Sequence, residues 1–190
     1  LAQLVHEKTA GNPFFANQFL QELVEDGLIT FQPGDARWCW DFAQITTKDY
    51  TDNVVDLMVG KLSRLPLATQ EALKALAYVG NTAEAFTLAT VGDTSEEQLH
   101  SALWDALRLE LIVRSGDSYR FVHDRVQEAA YSLVPNELRA AWHLRIARLL
   151  ATQITTEQSE QAVFEIATHF NRASSLITSR DEREQVAALN

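Results

Sequence analysis

The chain has 190 residues, 46% of them hydrophobic, with a formal net charge of −10 at pH 7. This composition excludes a disordered chain and allows one or two globular units with a substantial core. The acidic balance opposes binding to nucleic-acid phosphates or anionic lipids, because no cluster of basic residues offsets it.

The cysteine count and the hydropathy of the chain bear on disulfides, metal clusters and membrane insertion. Cys39 is the single cysteine, so neither an intrachain disulfide nor a cysteine-rich metal cluster can form. No apolar run reaches the roughly 20 residues that span a bilayer, and the first residues lack the pattern of a signal peptide. We therefore expect a cytoplasmic location and no membrane contact.

Helical spacing of apolar residues predicts two helices at the start of the chain, Leu1–Lys8 and Phe14–Asp26. Between them lies Thr9-Ala10-Gly11-Asn12-Pro13, in which glycine ends one helix and proline begins the next. A hairpin follows, with strands Leu28–Phe31 and Arg37–Phe42 around a Pro-Gly-Asp turn. Three aromatic residues share one face of the second strand, which we interpret as a packing face: Trp38, Trp40 and Phe42.

The middle of the chain predicts helices and then a second hairpin. The helices are Asp52–Leu65, Thr69–Val79, Ala85–Val91 and Ser95–Glu110, the last with capping residues and acids in its first turn. The hairpin pairs Leu111–Arg114 with Tyr119–His123 across a Ser-Gly-Asp turn. The last three of these helices and the hairpin that follows them have the element order of a winged-helix domain.

His123 stands where the second strand of this hairpin passes directly into a helix. Asp124 can serve as the N-cap of that helix, which the spacing extends to Val134. A histidine fixed by a strand on one side and a helix on the other has a defined direction.

The remaining residues predict further helices with short connections: Glu137–Ile154 capped by Asn136, Glu157–Ser175, and a last one entering at Asp181 after the cap Ser179. No clear internal period is present, so the start of a helical repeat and a plain helical bundle both remain open.

Sequence patterns for catalysis are absent. The chain has no Gly-rich loop ending in Gly-Lys-Ser/Thr, no nucleophile elbow and no His-Glu-x-x-His helix. The five histidines lack metal-ligand spacing: His6, His100, His123, His143 and His169. We therefore expect neither a catalytic site nor a metal site in the chain itself, and we interpret His143 and His169 as helix-surface or packing residues.

Several motifs, in order, resemble one family. These motifs are Glu7-Lys8-Thr9-Ala10-Gly11-Asn12-Pro13-Phe14-Phe15, Gly27-Leu28-Ile29 before a Trp-x-Trp strand, Asp52 to Met58, and Phe121-Val122-His123-Asp124-Arg125 continued to Pro135. Together they resemble the ATPase region of bacterial multidomain signalling proteins that combine a serine/threonine kinase-like domain, a STAND-class AAA-type ATPase, a GAF domain and a sensor histidine kinase.

The resemblance implies three regions: 1–50 as the end of the helical lid with a hairpin, 51–134 as a winged-helix domain, and 135–190 as the start of a helical domain. It also implies five nucleotide-binding residues: Gly11, Asn12, Pro13, His123 and Asp124. In that family the proline packs on adenine and the histidine reaches the β-phosphate of ADP. The bound ATP or ADP and Mg²⁺ would depend on a P-loop core upstream, with GAF and histidine kinase domains downstream, so we expect no cofactor in the fragment alone.

Two other functions remain as alternatives, a DNA-binding winged helix and a helical protein–protein scaffold. A helix that enters the major groove needs Lys, Arg, Asn or Gln toward bases and phosphates. The candidate recognition helix instead carries four acids against one arginine and one amide: Glu96, Glu97, Asp105 and Glu110 against Arg108 and Gln98. Nucleic-acid binding is therefore disfavoured.

The expected fold class is mainly α with two small β-hairpins. The apolar faces of the predicted elements also give a list of residues expected to be buried: Phe15, Phe19, Val54, Leu57, Leu73, Leu103, Leu107, Phe121, Val126, Ala130 and Leu144.

Overall fold

The computed structural model of the chain describes residues 1–47, 54–153 and 160–189. The described chain is mainly helical with two small antiparallel sheets, so the predicted fold class is confirmed. The chain divides into two compact units, Leu1–Lys61 and Leu62–Asn190. The three regions expected from the sequence stay a prediction.

The first unit begins with two helices and a hairpin. The elements that begin in this unit are α1 (Ala2–Thr9), α2 (Pro13–Glu25), β1 (Ile29–Gln32), β2 (Arg37–Trp40), α3 (Phe42–Thr47) and α4 (Val54–Ser63), the last of which continues past the boundary. Its core is a cluster of five buried apolar side chains: Val5, Phe19, Leu23, Ile29 and Ile45. The apolar stripes of α1 and α2 meet the hairpin in this cluster, as helical periodicity requires.

The first hairpin differs from its prediction in where the second strand ends and in how exposed its aromatic face is. β2 stops at Trp40, because Asp41 caps a helix by accepting hydrogen bonds from the N–H groups of Ala43 at 2.9 Å and Gln44 at 3.2 Å. Phe42 therefore belongs to α3, and its assignment to the strand was wrong. Trp38 packs on Phe31 across the strands, with ring centroids 5.3 Å apart, yet 54% of its surface is exposed.

The second unit contains the second sheet and the remaining helices. Its elements are α5 (Leu67–Val79), β3 (Thr82–Glu84), α6 (Ala85–Gly92), α7 (Glu96–Arg108), β4 (Ile112–Ser115), β5 (Ser118–Phe121), α8 (Asp124–Ser132), α9 (Asn136–Gln153), α10 (Glu160–Arg172), a 3₁₀ turn (Ser174–Leu176) and α11 (Arg180–Leu189). The predicted capping of α7 is confirmed, since Ser95 and Gln98 form a capping box. Asn136 is the first residue of α9 rather than its cap.

The second sheet has three strands in the order β3-β5-β4. The predicted hairpin is β4 and β5, paired with Ile112 opposite Phe121. The short strand β3, which the sequence pattern did not reveal, adds to the other edge with Ala83 opposite Tyr119. Tyr119 and Phe121 are fully buried, so one face of the central strand anchors this sheet in the core.

Most of the predicted core residues are buried: Phe15, Phe19, Leu73, Leu103, Phe121, Val126, Ala130 and Leu144. Leu57 and Leu107 are partly buried, and the side chain of Val54 lies outside the described residues, as does the start of the helix predicted from Asp52. In the part of the chain that the structure describes, no helix is both long and apolar enough to cross a membrane.

Candidate functional site

The turn between α1 and α2 places Gly11, Asn12 and Pro13 together in the first unit. Ala10 and Gly11 both adopt left-handed backbone conformations, with φ of 50° and 75°. A Cβ atom on Gly11 would lie 3.1 Å from Nε2 of His6, which is closer than ordinary contact. Gly11 is therefore required here both by its backbone conformation and by its neighbour.

Asn12 is the N-cap of α2. Its side-chain oxygen accepts hydrogen bonds from the backbone N–H groups of Phe14 at 3.0 Å and Phe15 at 3.4 Å. Pro13 occupies the first helical position, where its missing N–H costs nothing. Because the Asn12 oxygen is engaged in capping and Pro13 is exposed, the surface that this turn offers to a ligand is the apolar proline ring.

An apolar groove of about 410 Å³ adjoins the turn. Side chains of α1 and α2 line it together with Gly11: Leu1, Ala2, Val5, His6, Thr9, Ala16 and Leu20. The lining is mostly aliphatic, so the groove offers apolar area and few hydrogen-bonding groups.

His123 and Asp124 are adjacent in the second unit, at the junction of β5 and α8. His123 has an extended backbone and is itself the N-cap of α8: its Nδ1 accepts a hydrogen bond from the N–H of Arg125 at 3.2 Å. Asp124, predicted as the cap, is instead the first helical residue. Its carboxylate also accepts from the N–H of Arg125, at 2.8 Å, and contacts Nδ1 of His123.

The junction is shifted by one residue because the sheet continues past β5. The N–H of Val122 donates to the carbonyl of Leu111 at 3.1 Å, which keeps the chain extended up to His123. On the helix side, the Gln127 amide donates to the carbonyl of Ala77 at 3.4 Å and ties α8 to α5. The imidazole is therefore held by the sheet before it and by the helix after it.

Two contacts of Nδ1 bear on what the imidazole of His123 can donate. A neutral ring whose Nδ1 accepts from Arg125 carries its hydrogen on Nε2. A protonated ring donates from Nδ1 to the Asp124 carboxylate and also carries a hydrogen on Nε2. About 30% of the His123 side chain is exposed. The N-terminus of α8 adds positive potential beside the ring, and the exposed Asp124 carboxylate adds negative charge at the same helix end.

A second group of titratable side chains lies buried in the second unit, and the sequence did not predict that they meet. His143 of α9 and His169 of α10 are 2% and 6% exposed, and their Nδ1 atoms lie 2.9 Å apart. Burial lowers the pKa of each to about 4, with Arg172 adding to the effect. The packing interpretation is right, and the surface alternative is excluded.

The described residues contain no group of three or more histidine, cysteine, aspartate or glutamate side chains placed to hold a metal ion. The candidate nucleotide-binding residues thus consist of one turn in the first unit and one junction in the second. Neither contains the lysine and consecutive backbone N–H groups that bind triphosphates, and neither contains a side-chain set for Mg²⁺.

Comparison with known proteins found one similar signalling protein. The chain is similar to a segment of the hybrid signal transduction histidine kinase G of Dictyostelium discoideum, with 28% identity over 243 aligned residues. The alignment covers 100% of this chain and 7% of the length of that protein. No protein-family model matches the chain, and no solved structure matches it. The similarity supports a signal-transduction kinase context and is consistent with one part of a large multidomain chain.

Proposed function

We propose that this chain is the regulatory, nucleotide-sensing segment of a STAND-type ATPase module within a multidomain signal-transduction kinase. In this proposal residues 1–50 belong to the helical lid, 51–134 form a winged-helix domain, and 135–190 begin a helical domain that relays signals. The position of His123 carries the proposal: it caps α8 at the end of a sheet, with its ring partly exposed.

The arrangement of elements supports the winged-helix part. A helix, a short strand, two helices and a hairpin follow one another from α5 to β5, and the short strand completes a three-stranded sheet with the hairpin. This is the order expected of a helix-turn-helix relative whose wing is a hairpin. The similarity to a histidine kinase supports the signalling context.

In the proposed resting state Pro13 and His123 have the roles that the resemblance gives them. Pro13 packs against the adenine, beside the apolar groove of the first unit. His123 donates a hydrogen bond from Nε2 to the β-phosphate, which the N-terminus of α8 also favours. A P-loop core elsewhere in the longer protein would hold Mg²⁺ and the remaining phosphate contacts.

His123 has two separable roles in this proposal, capping α8 and contacting the phosphate, and two substitutions distinguish them. His123→Ala removes both. His123→Asn keeps a side-chain acceptor for the Arg125 N–H, because asparagine is among the best N-cap residues. It removes the Nε2 donor, and its own amide N–H groups lie closer to the backbone than Nε2 does. The measurement is the rate of ADP release from the longer protein that contains the P-loop, together with its basal kinase output.

We expect both variants to release ADP about ten- to a hundredfold faster and to raise basal output. A charge-assisted hydrogen bond contributes roughly 1.5 to 3 kcal/mol, and about 1.4 kcal/mol corresponds to a factor of ten. If the asparagine variant retains ADP as long as the wild type does, His123 only stabilises α8 and the proposal fails.

The DNA-binding alternative is opposed by the surface of α7. Its exposed charged residues are Glu96, Glu97 and Arg108, and the arginine lies 3.6 Å from Asp105 in an ion pair. A helix that approaches phosphates with this surface would be repelled. A scaffold that binds protein partners through the helical region is compatible with the proposed role, since a signalling segment must also contact other domains.

A further inference from the structure

The buried histidine pair of the second unit joins two helices that are distant in sequence. The Nδ1 atoms of His143 and His169 lie 2.9 Å apart, a distance at which one ring must donate a hydrogen and the other must accept it. Both rings are neutral in this arrangement, or one carries a charge. If both were protonated, both Nδ1 atoms would be donors and the hydrogen bond would be lost.

The pair is the end of a chain of ring contacts that crosses four helices. The Tyr131 hydroxyl of α8 lies 3.0 Å from Nε2 of His143, so this nitrogen also has a hydrogen-bonding partner. The Tyr78 ring of α5 stacks on Tyr131 at 4.3 Å and lies 4.8 Å from the His143 ring. The contact between His143 and His169 therefore connects α10, through α9, to α8 and α5.

Among the described residues, the charged side chains that lower the pKa of the pair are two arginines. Arg172 lies on the same helix as His169, and Arg139 of α9 has its guanidinium 5.0 Å from the centre of the Tyr131 ring. The other titratable groups beside the pair are Tyr78 and Tyr131. Protonation would thus add positive charge to a buried site that already faces two arginines, and no carboxylate among these described groups would offset it.

We propose that His143 and His169 form an acid-sensitive latch that holds α10 on α9. At neutral pH the shared hydrogen bond and the buried rings keep the two helices together. On acidification, one proton binds the accepting Nδ1 and a second binds Nε2 of the donating ring. The facing Nδ1 atoms are then two donors on two positively charged rings, and the contact opens. The latch is a property of the second unit and does not depend on nucleotide binding.

The direction of the pH dependence follows from proton binding. The closed state holds the pKa of each histidine at about 4, first by burial, then for His143 by His169 and for both by Arg172, whereas an exposed histidine titrates near 6.5. Between these values the open state binds more protons, so the closed state is fully favoured above about pH 6.5 and weakens as the pH falls toward 4. With two protons involved, the opening equilibrium constant rises by up to about a hundredfold per pH unit.

Hydrogen–deuterium exchange of the 190-residue protein tests the latch. Amide protection in α9 and α10 is measured at pH 7.5, 6.0 and 5.0 and corrected for the intrinsic exchange rate. We expect wild-type protection to fall steeply with pH in α10, and we expect the double substitution His143→Leu and His169→Leu to remove that dependence. The control is His6→Gln, which removes an exposed histidine of the first unit and should leave the dependence unchanged.

A second measurement avoids any folding defect of the leucine variant. In wild-type protein, NMR titration of the histidine rings should show His143 and His169 neutral well below pH 6, with protonation accompanying the loss of α10 protection. The proposal is overturned if α10 protection is independent of pH, if the double variant keeps the wild-type dependence, or if the rings titrate near 6.5 while α10 stays protected.

Discussion

Gly11 is the residue whose backbone most constrains the first candidate site. Replacing it with alanine places a Cβ at a φ of 75° and 3.1 Å from His6. A left-handed conformation costs a non-glycine residue roughly 1–2 kcal/mol. We expect Gly11→Ala to lower the free energy of unfolding by at least that amount, measured by urea denaturation.

The chain offers matched controls for this substitution. Gly27 has a φ of 71° and no atom within 4 Å of the point where a Cβ would lie, and Gly34 has open space without a positive φ. Alanine at Gly27 isolates the backbone cost, and alanine at Gly34 should change stability little. A Gly11→Ala variant as stable as the Gly34→Ala variant would show that the turn adopts another conformation.

Residue by residue, the candidate site was predictable where the signal is local. Glycine, asparagine and proline end one helix and begin another through their own backbone and side-chain chemistry. The turn at Gly11 to Pro13 was therefore predictable from the sequence. The cap of α8 was misplaced by one residue, from His123 to Asp124. Which residue is the last extended one depends on pairing between Val122 and Leu111, and that contact is not local.

The helix α7 shows how strongly one residue can stabilise an element. Ser95 accepts a hydrogen bond from the N–H of Gln98 at 3.2 Å, and the Gln98 side chain accepts from the N–H of Ser95 at 3.3 Å. Loss of such a cap costs about 0.5–2 kcal/mol. We expect Ser95→Ala to reduce stability by about 1 kcal/mol in urea unfolding and Ser95→Asp, which keeps an acceptor, to retain it. Equal losses in the two variants would contradict the capping role.

At the scale of elements, the long periodic helices were predictable and two short elements were not. β3 has three residues, too few to display alternation, and it forms because the β4–β5 hairpin presents an open edge. Phe42, the first residue of α3, was assigned to a strand because it continues the Trp-x-Trp alternation, and the rest of α3 was not predicted. The side chain of Asp41 caps the helix and so stabilises it over the strand. Asp41 could have been recognised in the sequence as a helix N-cap.

Contacts between distant elements set the limit of prediction for the whole molecule. His143 and His169 lie 26 residues apart on different helices, and no periodicity within either helix indicates that their rings meet. The aromatic face of the first hairpin is a similar case: alternation places Trp38 and Phe31 on one side, whereas burial depends on what covers that side. Local sequence patterns therefore predicted the fold class, but they did not predict the contact between His143 and His169.

The two candidate sites of the isolated chain provide too few contacts for tight nucleotide binding. Tight ATP binding requires consecutive backbone N–H groups around the phosphates, a lysine and a held Mg²⁺. The turn at Pro13 offers an apolar edge, and the junction at His123 offers one imidazole and one helix N-terminus. A net charge of −10 adds repulsion toward a polyanion.

We therefore expect isothermal titration calorimetry of the 190-residue protein to show no micromolar affinity for ATP or ADP, with or without Mg²⁺, and phosphate-release assays to show no hydrolysis. A micromolar dissociation constant corresponds to about −8 kcal/mol, more than one hydrogen bond and a small apolar contact supply. A longer protein that contains the proposed P-loop is the positive control and should bind. Micromolar binding by the isolated chain would mean that its own residues contain a complete phosphate site, and the proposed division of the nucleotide site between this segment and another part of the protein would be wrong.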